Sequence, residues 1–185
     1  MGHHMTRARR AALGAIAIGA VTLALAGCEA SVSVGGDPSL SAAELEQAIR
    51  DQYAEQNPGI TLTELTCEDA EGEVGAEITC EGRNSREVEL EIGGEVTRVD
   101  EGEETADYDW RVTRAFAPGA LYERAARQVL LDQTQVPVAT VECPVRIEVV
   151  VGSRVSCTVR TADGRPLPVV LELTDLDGGF RISEG

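Results

Sequence analysis

Val74-Gly75-Ala76-Glu77-Ile78-Thr79-Cys80 returns later in the chain as Val151-Gly152-Ser153-Arg154-Val155-Ser156-Cys157. The shared pattern is V-G-x-x-[IV]-[ST]-C. Each copy closes a segment that an earlier cysteine opens, Cys67 in the first and Cys143 in the second. Further out, Leu45, Ile49, Tyr53 and Cys67 map onto Leu121, Ala125, Val129 and Cys143 at an offset of 76, and the V-G motif maps at 77. A shift of one residue in a loop, with helix and strands kept in register, is what a duplicated unit shows.

Each unit reads as a helix followed by strands. Ser41-Ala42-Ala43-Glu44 is a capping box, and the helix runs to about Gln56, before Asn57-Pro58-Gly59 stops it. Leu45, Ala48, Ile49 and Tyr53 share one face of it. The period then changes from 3.6 to 2, over residues 61–67, 74–80, 86–92 and 106–112. Inward positions are Val74, Ala76, Ile78 and Cys80, then Val88, Leu90 and Ile92, then Tyr108, Trp110 and Val112. In the second unit Pro118 suits the first turn of a helix striped by Leu121, Tyr122, Ala125, Val129 and Leu130. Strands follow at 136–143, 151–159, 168–173 and 180–183, with hairpin turns at Ala162-Asp163-Gly164 and Asp177-Gly178-Gly179. The expected fold class is α+β: two tandem repeats, residues 41–113 and 117–184, each one N-terminal helix packed on an antiparallel sheet of about four strands with one internal disulfide. Residues 114–117 form a short linker between them.

Four cysteines besides Cys28 allow three pairings. The repeat favours Cys67–Cys80 and Cys143–Cys157, one bridge inside each unit. A zinc site wants close ligand pairs or histidines. The chain has only His3 and His4 and no C-x-x-C, so no metal is expected.

Arg7, Arg9 and Arg10 precede an uncharged run, 11–26, rich in Ala, Leu and Ile. A positive segment followed by an apolar one is an export address. It ends in Leu25-Ala26-Gly27-Cys28, which resembles the lipobox of bacterial lipoprotein precursors. The resemblance implies a signal peptide over 1–27, cleavage before Cys28 and a diacylglyceryl group on its sulfur. Two acyl chains anchor stably where one does not. Localisation on the extracytoplasmic face of the cell membrane follows, in a compartment that permits disulfides. Residues 28–40, small and polar after the cysteine, read as the lipidated Cys and a flexible tether.

The formal charge is −16, from 16 arginines and no lysine against 32 acids. Without residues 1–27 it is −19, since 13 arginines then face the same 32 acids. Such a body repels nucleic acid and anionic headgroups, so no nucleic-acid partner is expected.

Catalytic constellations are missing from the sequence. With no histidine beyond His4 and no lysine, Ser-His-Asp, Cys-His and Schiff-base chemistries have no carriers. Gly35-Gly36 and Gly93-Gly94 lack the context of a phosphate loop. Asp100, Glu101, Glu103, Glu104, Asp107 and Asp109 cluster in loop 100–109 and could offer oxygens to calcium, but they do not match the EF-hand loop; a solvated loop leading into an edge strand is the better reading.

A lipobox, a helix and a cysteine pair with V-G-x-x-[IV]-[ST]-C at its second member resemble a two-cysteine domain-of-unknown-function family. Its members are envelope lipoproteins of high-GC Gram-positive bacteria. The resemblance covers both units; the second keeps the frequent Cys143-Pro144, while the first departs with Cys67-Glu68. It implies location and fold, and carries no catalytic or ligand residue. The expected function is a lipid-anchored, extracytoplasmic, non-catalytic binding or interaction protein, without cofactor, held at the membrane through Cys28 and meeting an envelope protein partner. The rival is a carrier of a small or lipidic ligand, which requires an apolar cavity between helix and sheet.

Overall fold

A computed structural model describes residues 28–33, 39–100, 105–134 and 138–184. The signal-peptide reading of 1–27, residues 34–38 of the tether and Glu101, Glu103 and Glu104 of the acidic loop lie outside the described residues. The elements are β1 (Cys28–Ser33), β2 (Ser39–Leu40), α1 (Ala42–Gln56), β3 (Leu62–Cys67), β4 (Ala70–Glu71), β5 (Glu77–Asn84), β6 (Glu89–Asp100), β7 (Thr105–Pro118), α2 (Gly119–Thr134), β8 (Val138–Glu142), β9 (Arg146–Glu148), β10 (Arg154–Thr161), β11 (Pro166–Leu173) and β12 (Phe180–Glu184).

These elements correct the expected fold class. Among the described residues the chain is mostly β, with two helices and three sheets, and does not form two tandem α+β repeats that each pack a helix on a four-stranded sheet. One sheet has six strands in the order β1-β7-β6-β5-β3, with β9 also on β7; another has four, β12-β11-β10-β8; β2 and β4 make a short pair. The cause lies in β7. It runs 14 residues, straight through the expected linker 114–117. Its Phe116, Ala117 and Pro118 pair with Glu148, Ile147 and Arg146 of β9, so a strand of the second half completes the sheet of the first. A strand edge left unpaired recruits whatever extended chain reaches it. β1 joins the same edge further up, so the first six residues of the expected tether are strand.

The repeated motif has a different local structure from the one its alternation suggests. Val74 and Val151 do not face the core; they are 67% and 56% exposed. Each stands at the corner of a β-turn, closed by Ala76 N–H to Glu73 C=O at 3.0 Å and by Ser153 N–H to Val150 C=O at 2.9 Å. Gly75 and Gly152 follow at φ +91° and +83°, the left-handed region a type II turn requires and only glycine enters freely. Both turns then pair alike with the neighbouring strand, through Val96 in one half and Leu173 in the other.

The helices also correct the offset. α1 buries Leu45, Ile49 and Tyr53, whereas α2 buries Tyr122 and Ala126, each 77 residues on, with half-buried Ala125 beside them. Glu46 on α1 accepts from the N–H of Cys67 at 3.2 Å, and Glu123 on α2 accepts from that of Cys143 at 3.0 Å. Helix and turn thus share an offset of 77, and Cys143 alone is one residue early. A glutamate bond to the backbone of the bridged cysteine ties each helix to its strand.

Buried apolar residues form one connected core through both halves, from Leu45, Ile78 and Tyr108 to Tyr122, Val141 and Leu171. All three tyrosines are in it, and the hydroxyls of Tyr108 and Tyr122 are buried with no hydrogen-bond partner among the described residues. Burial pushes Tyr108 up to about 12 from its ordinary 10.0, and burial with nearby Asp175 does the same for Tyr122. Tyr53 is raised further, by burial and then by its bond to Asp177. An unfolded chain ionises at the ordinary value while the folded one does not, so stability present below pH 10.0 is lost as pH rises toward 12. Spectrophotometric titration should show no tyrosinate near pH 10.0, and ionisation should coincide with unfolding. Reversible ionisation there with unchanged circular dichroism would contradict the burial argument.

Candidate functional site

The outer face of the six-stranded sheet is charged. In β6, Leu90 and Ile92 point into the core while Glu89 and Glu91 point out, so alternation alone sets the acids on this face. Opposite them on β7 stand Phe116 and Arg114, in register with Glu89 and Glu91. Arg146 of β9 comes from the second half and lays its guanidinium 3.5 Å from the centroid of the Phe116 ring; that of Arg114 lies at 4.7 Å. The ring is thereby buried on a face where it has no core to enter. Cation–π contacts of this kind each contribute about 0.5–1 kcal/mol at exposed sites.

Ion pairs link the strands around that ring. Arg83 pairs with Glu64 at 3.6 Å and Glu89 at 3.5 Å, and Glu89 pairs on to Arg146 at 3.3 Å. Arg114 bridges Glu91 and Glu148, both at 3.4 Å. Each exposed pair is weak by itself. Their use is geometric, since they hold long side chains upright as walls. Between the walls runs a groove of about 530 Å³, lined by Glu64, Glu81, Arg83, Glu89, Phe116 and Arg146 among others. A second hollow of about 470 Å³ shares Arg83, Glu89 and Arg146, and continues over Ala117, Pro118 and Ala120 to Arg124 and the exposed Val145. The combined surface belongs to both halves. Sequence reasoning missed it, because Phe116 lay in the expected linker and β9 was not foreseen; the Arg-x-Phe spacing, 114 to 116, was the available signal.

Behind the sheet the halves are fastened by polar groups. Asp177, in the turn before β12, accepts from Tyr53 Oη and from Asn84 Nδ2, the latter at 3.4 Å. Asn84 also donates to Tyr53 Oη at 3.2 Å, and its Oδ1 accepts from the N–H groups of Arg86 at 2.9 Å and Val88 at 3.1 Å. Arg124 of α2 pairs with Glu87 at 2.6 Å.

The residues singled out by sequence are distributed as follows. Disulfides join Cys67 to Cys80 and Cys143 to Cys157. Cys28 opens β1, opposite Trp110 of β7. Trp110 is buried and donates its indole N–H to Gln52 Oε1 at 2.6 Å, a contact between sheet and α1. Gly93-Gly94 lies inside β6; a Cβ on Gly94 would sit 2.2 Å from the carbonyl oxygen of Asp109, so close backbone approach requires the glycine. Asp107 is paired with Arg98 at 2.7 Å. Among the described residues no group of three or more His, Cys, Asp or Glu is arranged to hold a metal ion.

Residues 108–178 carry a match to a domain of unknown function, DUF4333. The match begins within β7 and ends in the turn that holds Asp177. No curated protein and no solved structure matches the chain.

Proposed function

We propose that the protein is a lipid-anchored, extracytoplasmic and non-catalytic binding module whose groove at the junction of the two halves receives a segment of an envelope protein. The observation that carries this reading is the groove itself, about 530 Å³, walled by paired Arg and Glu and centred on the clamped Phe116. Arginine and aromatic side chains are the residues that interfaces favour. The groove carries both signs, four glutamates and two arginines, which suits a polypeptide that carries both signs itself. Anchoring rests on the three arginines, the apolar run and Leu25-Ala26-Gly27-Cys28, as in envelope lipoproteins of high-GC Gram-positive bacteria. A non-catalytic role rests on the lack of histidine and lysine after residue 27. The shared turns and the Glu46 and Glu123 contacts support reading residues 41–113 as a diverged copy of the matched domain.

Glu81 tests the groove. It lines the wall, is exposed and has no ion pair among the described residues. Glu81→Lys should leave the unfolding midpoint unchanged and remove a protein adduct otherwise formed by crosslinking in intact cells. An adduct of equal yield in the variant would take the groove out of the binding surface.

A further inference from the structure

β7 has a break in its covering strand, and Cys28 stands at that break. β1 covers β7 from Thr105 to Trp110, with Cys28 opposite Trp110. β9 covers it again from Phe116 to Pro118. Among the described residues no strand pairs with Arg111 to Arg114 on that edge. The charge of β7 reverses at the same place: Asp107 and Asp109 precede Trp110, and Arg111 and Arg114 follow it. Arg111 is exposed and has no ion pair among the described residues; Arg114 is exposed with its pairs to Glu91 and Glu148.

We infer that the folded body is seated directly on the bilayer along this open edge of β7, with Arg111 against lipid headgroups. The inference rests on reading Cys28 as the lipid-bearing residue. Acyl chains in the bilayer hold the residue that carries them at headgroup level. Cys28 is already a paired residue of the sheet, so no length of free chain separates anchor from fold. Antiparallel partners stand about 5 Å apart, which brings Trp110 and its neighbours to the same level. A body of formal charge −19 is repelled by anionic headgroups unless it turns a cation to them, and at this edge that cation is Arg111, since Arg114 is offset by Glu91 and Glu148. The arginine half of β7 is the part that adjoins the anchor on the open side. Glu29, opposite Asp109, lies toward the acidic half.

Trp110 is the single tryptophan, so it reports this geometry without a label. Full-length protein is purified from membranes and its mass measured for modification at Cys28. It is then reconstituted into phosphatidylglycerol or phosphatidylcholine vesicles containing lipids brominated close to the glycerol. Seating predicts loss of most Trp110 emission. It also predicts that amides 105–110 stay as protected from hydrogen exchange as in lipid-free Cys28→Ala protein. Arg111→Glu should restore emission in the anionic vesicles and change little in the zwitterionic ones; equal quenching in the anionic vesicles would remove the arginine contact. Unquenched Trp110 in a lipidated protein overturns the seating, and lost protection at 105–110 would show that β1 has left the sheet to serve as a tether. An unmodified Cys28 overturns both the seating and the anchor reading, and the mass alone tells this failure from the other.

Discussion

Removing the disulfides, by Cys67→Ala with Cys80→Ala or Cys143→Ala with Cys157→Ala, is expected to cost about 3 kcal/mol of unfolding free energy for each bridge. The bridges span 13 and 14 residues, and closing loops of that length removes comparable entropy from each unfolded half. The two losses should differ. Cys67 and Cys80 are both buried, 7% and 2% exposed, and stand directly opposite each other on β3 and β5 beneath α1. Cys143 lies just beyond the end of β8 and is only partly buried. Truncating the first pair therefore also empties packed space, which adds to the entropic term. Cores built with one Trp, three Tyr and two Phe have little surplus to absorb this. Urea unfolding of the oxidised protein and of each double variant measures it. A change well under about 1 kcal/mol for either pair would mean that the turns and the helix glutamates already hold the strands without the bridge.

Asn84→Ala is expected to cost about 3 kcal/mol, more than any exposed substitution in the groove. Asn84 is the buried polar residue of the described core, 1% exposed, and its amide group makes four hydrogen bonds. Its oxygen closes the turn between β5 and β6; its nitrogen reaches the α1 tyrosine and the Asp177 carboxylate of the second half. Alanine leaves two backbone N–H groups and a half-buried carboxylate short of partners, and burying an unpaired polar group is costly. Asn84→Asp separates the two roles. It keeps the oxygen that closes the turn but sets a carboxylate beside Asp177, so repulsion between the halves should appear without loss of the turn. If Asn84→Asp were as stable as the native protein at neutral pH, the Asp177 contact would not be a fastening. The β7–β9 pairing, the Arg124–Glu87 pair and Val88 against the Gly178 turn would then hold the halves.

Much of the local structure was legible in the sequence because it depends on neighbours in the chain. The Ser41–Glu44 cap, the end of α1 before Asn57 and the inward set Val88, Leu90 and Ile92 all follow from period and capping. Val74 was misread for a physical reason. Alternation counts a turn corner as strand when apolar residues occupy it, and only the positive φ of Gly75 shows where the strand begins. Nothing in the structure explains why valine stands at both exposed corners. The helix offset was misread because Leu121, beside Tyr122, made an equally apolar stripe; burial separates them, and a sequence cannot weigh two adjacent apolar residues.

By itself the sequence determined the duplicated motif, the favoured cysteine pairs, the buried face of α1 and the acidic balance, all of which rest on spacing or composition. Tertiary structure alone decided that residues 114–117 are strand, that β1 and β9 share the edge of β7, and that Phe116 is clamped between Arg114 and Arg146. It also decided that Asp177 reaches Tyr53 and Asn84 across 124 and 93 residues. Backbone groups at a strand edge pair with any extended chain brought near them, whatever its side chains. Which chain arrives there is settled by how the whole molecule closes, so no local pattern records it.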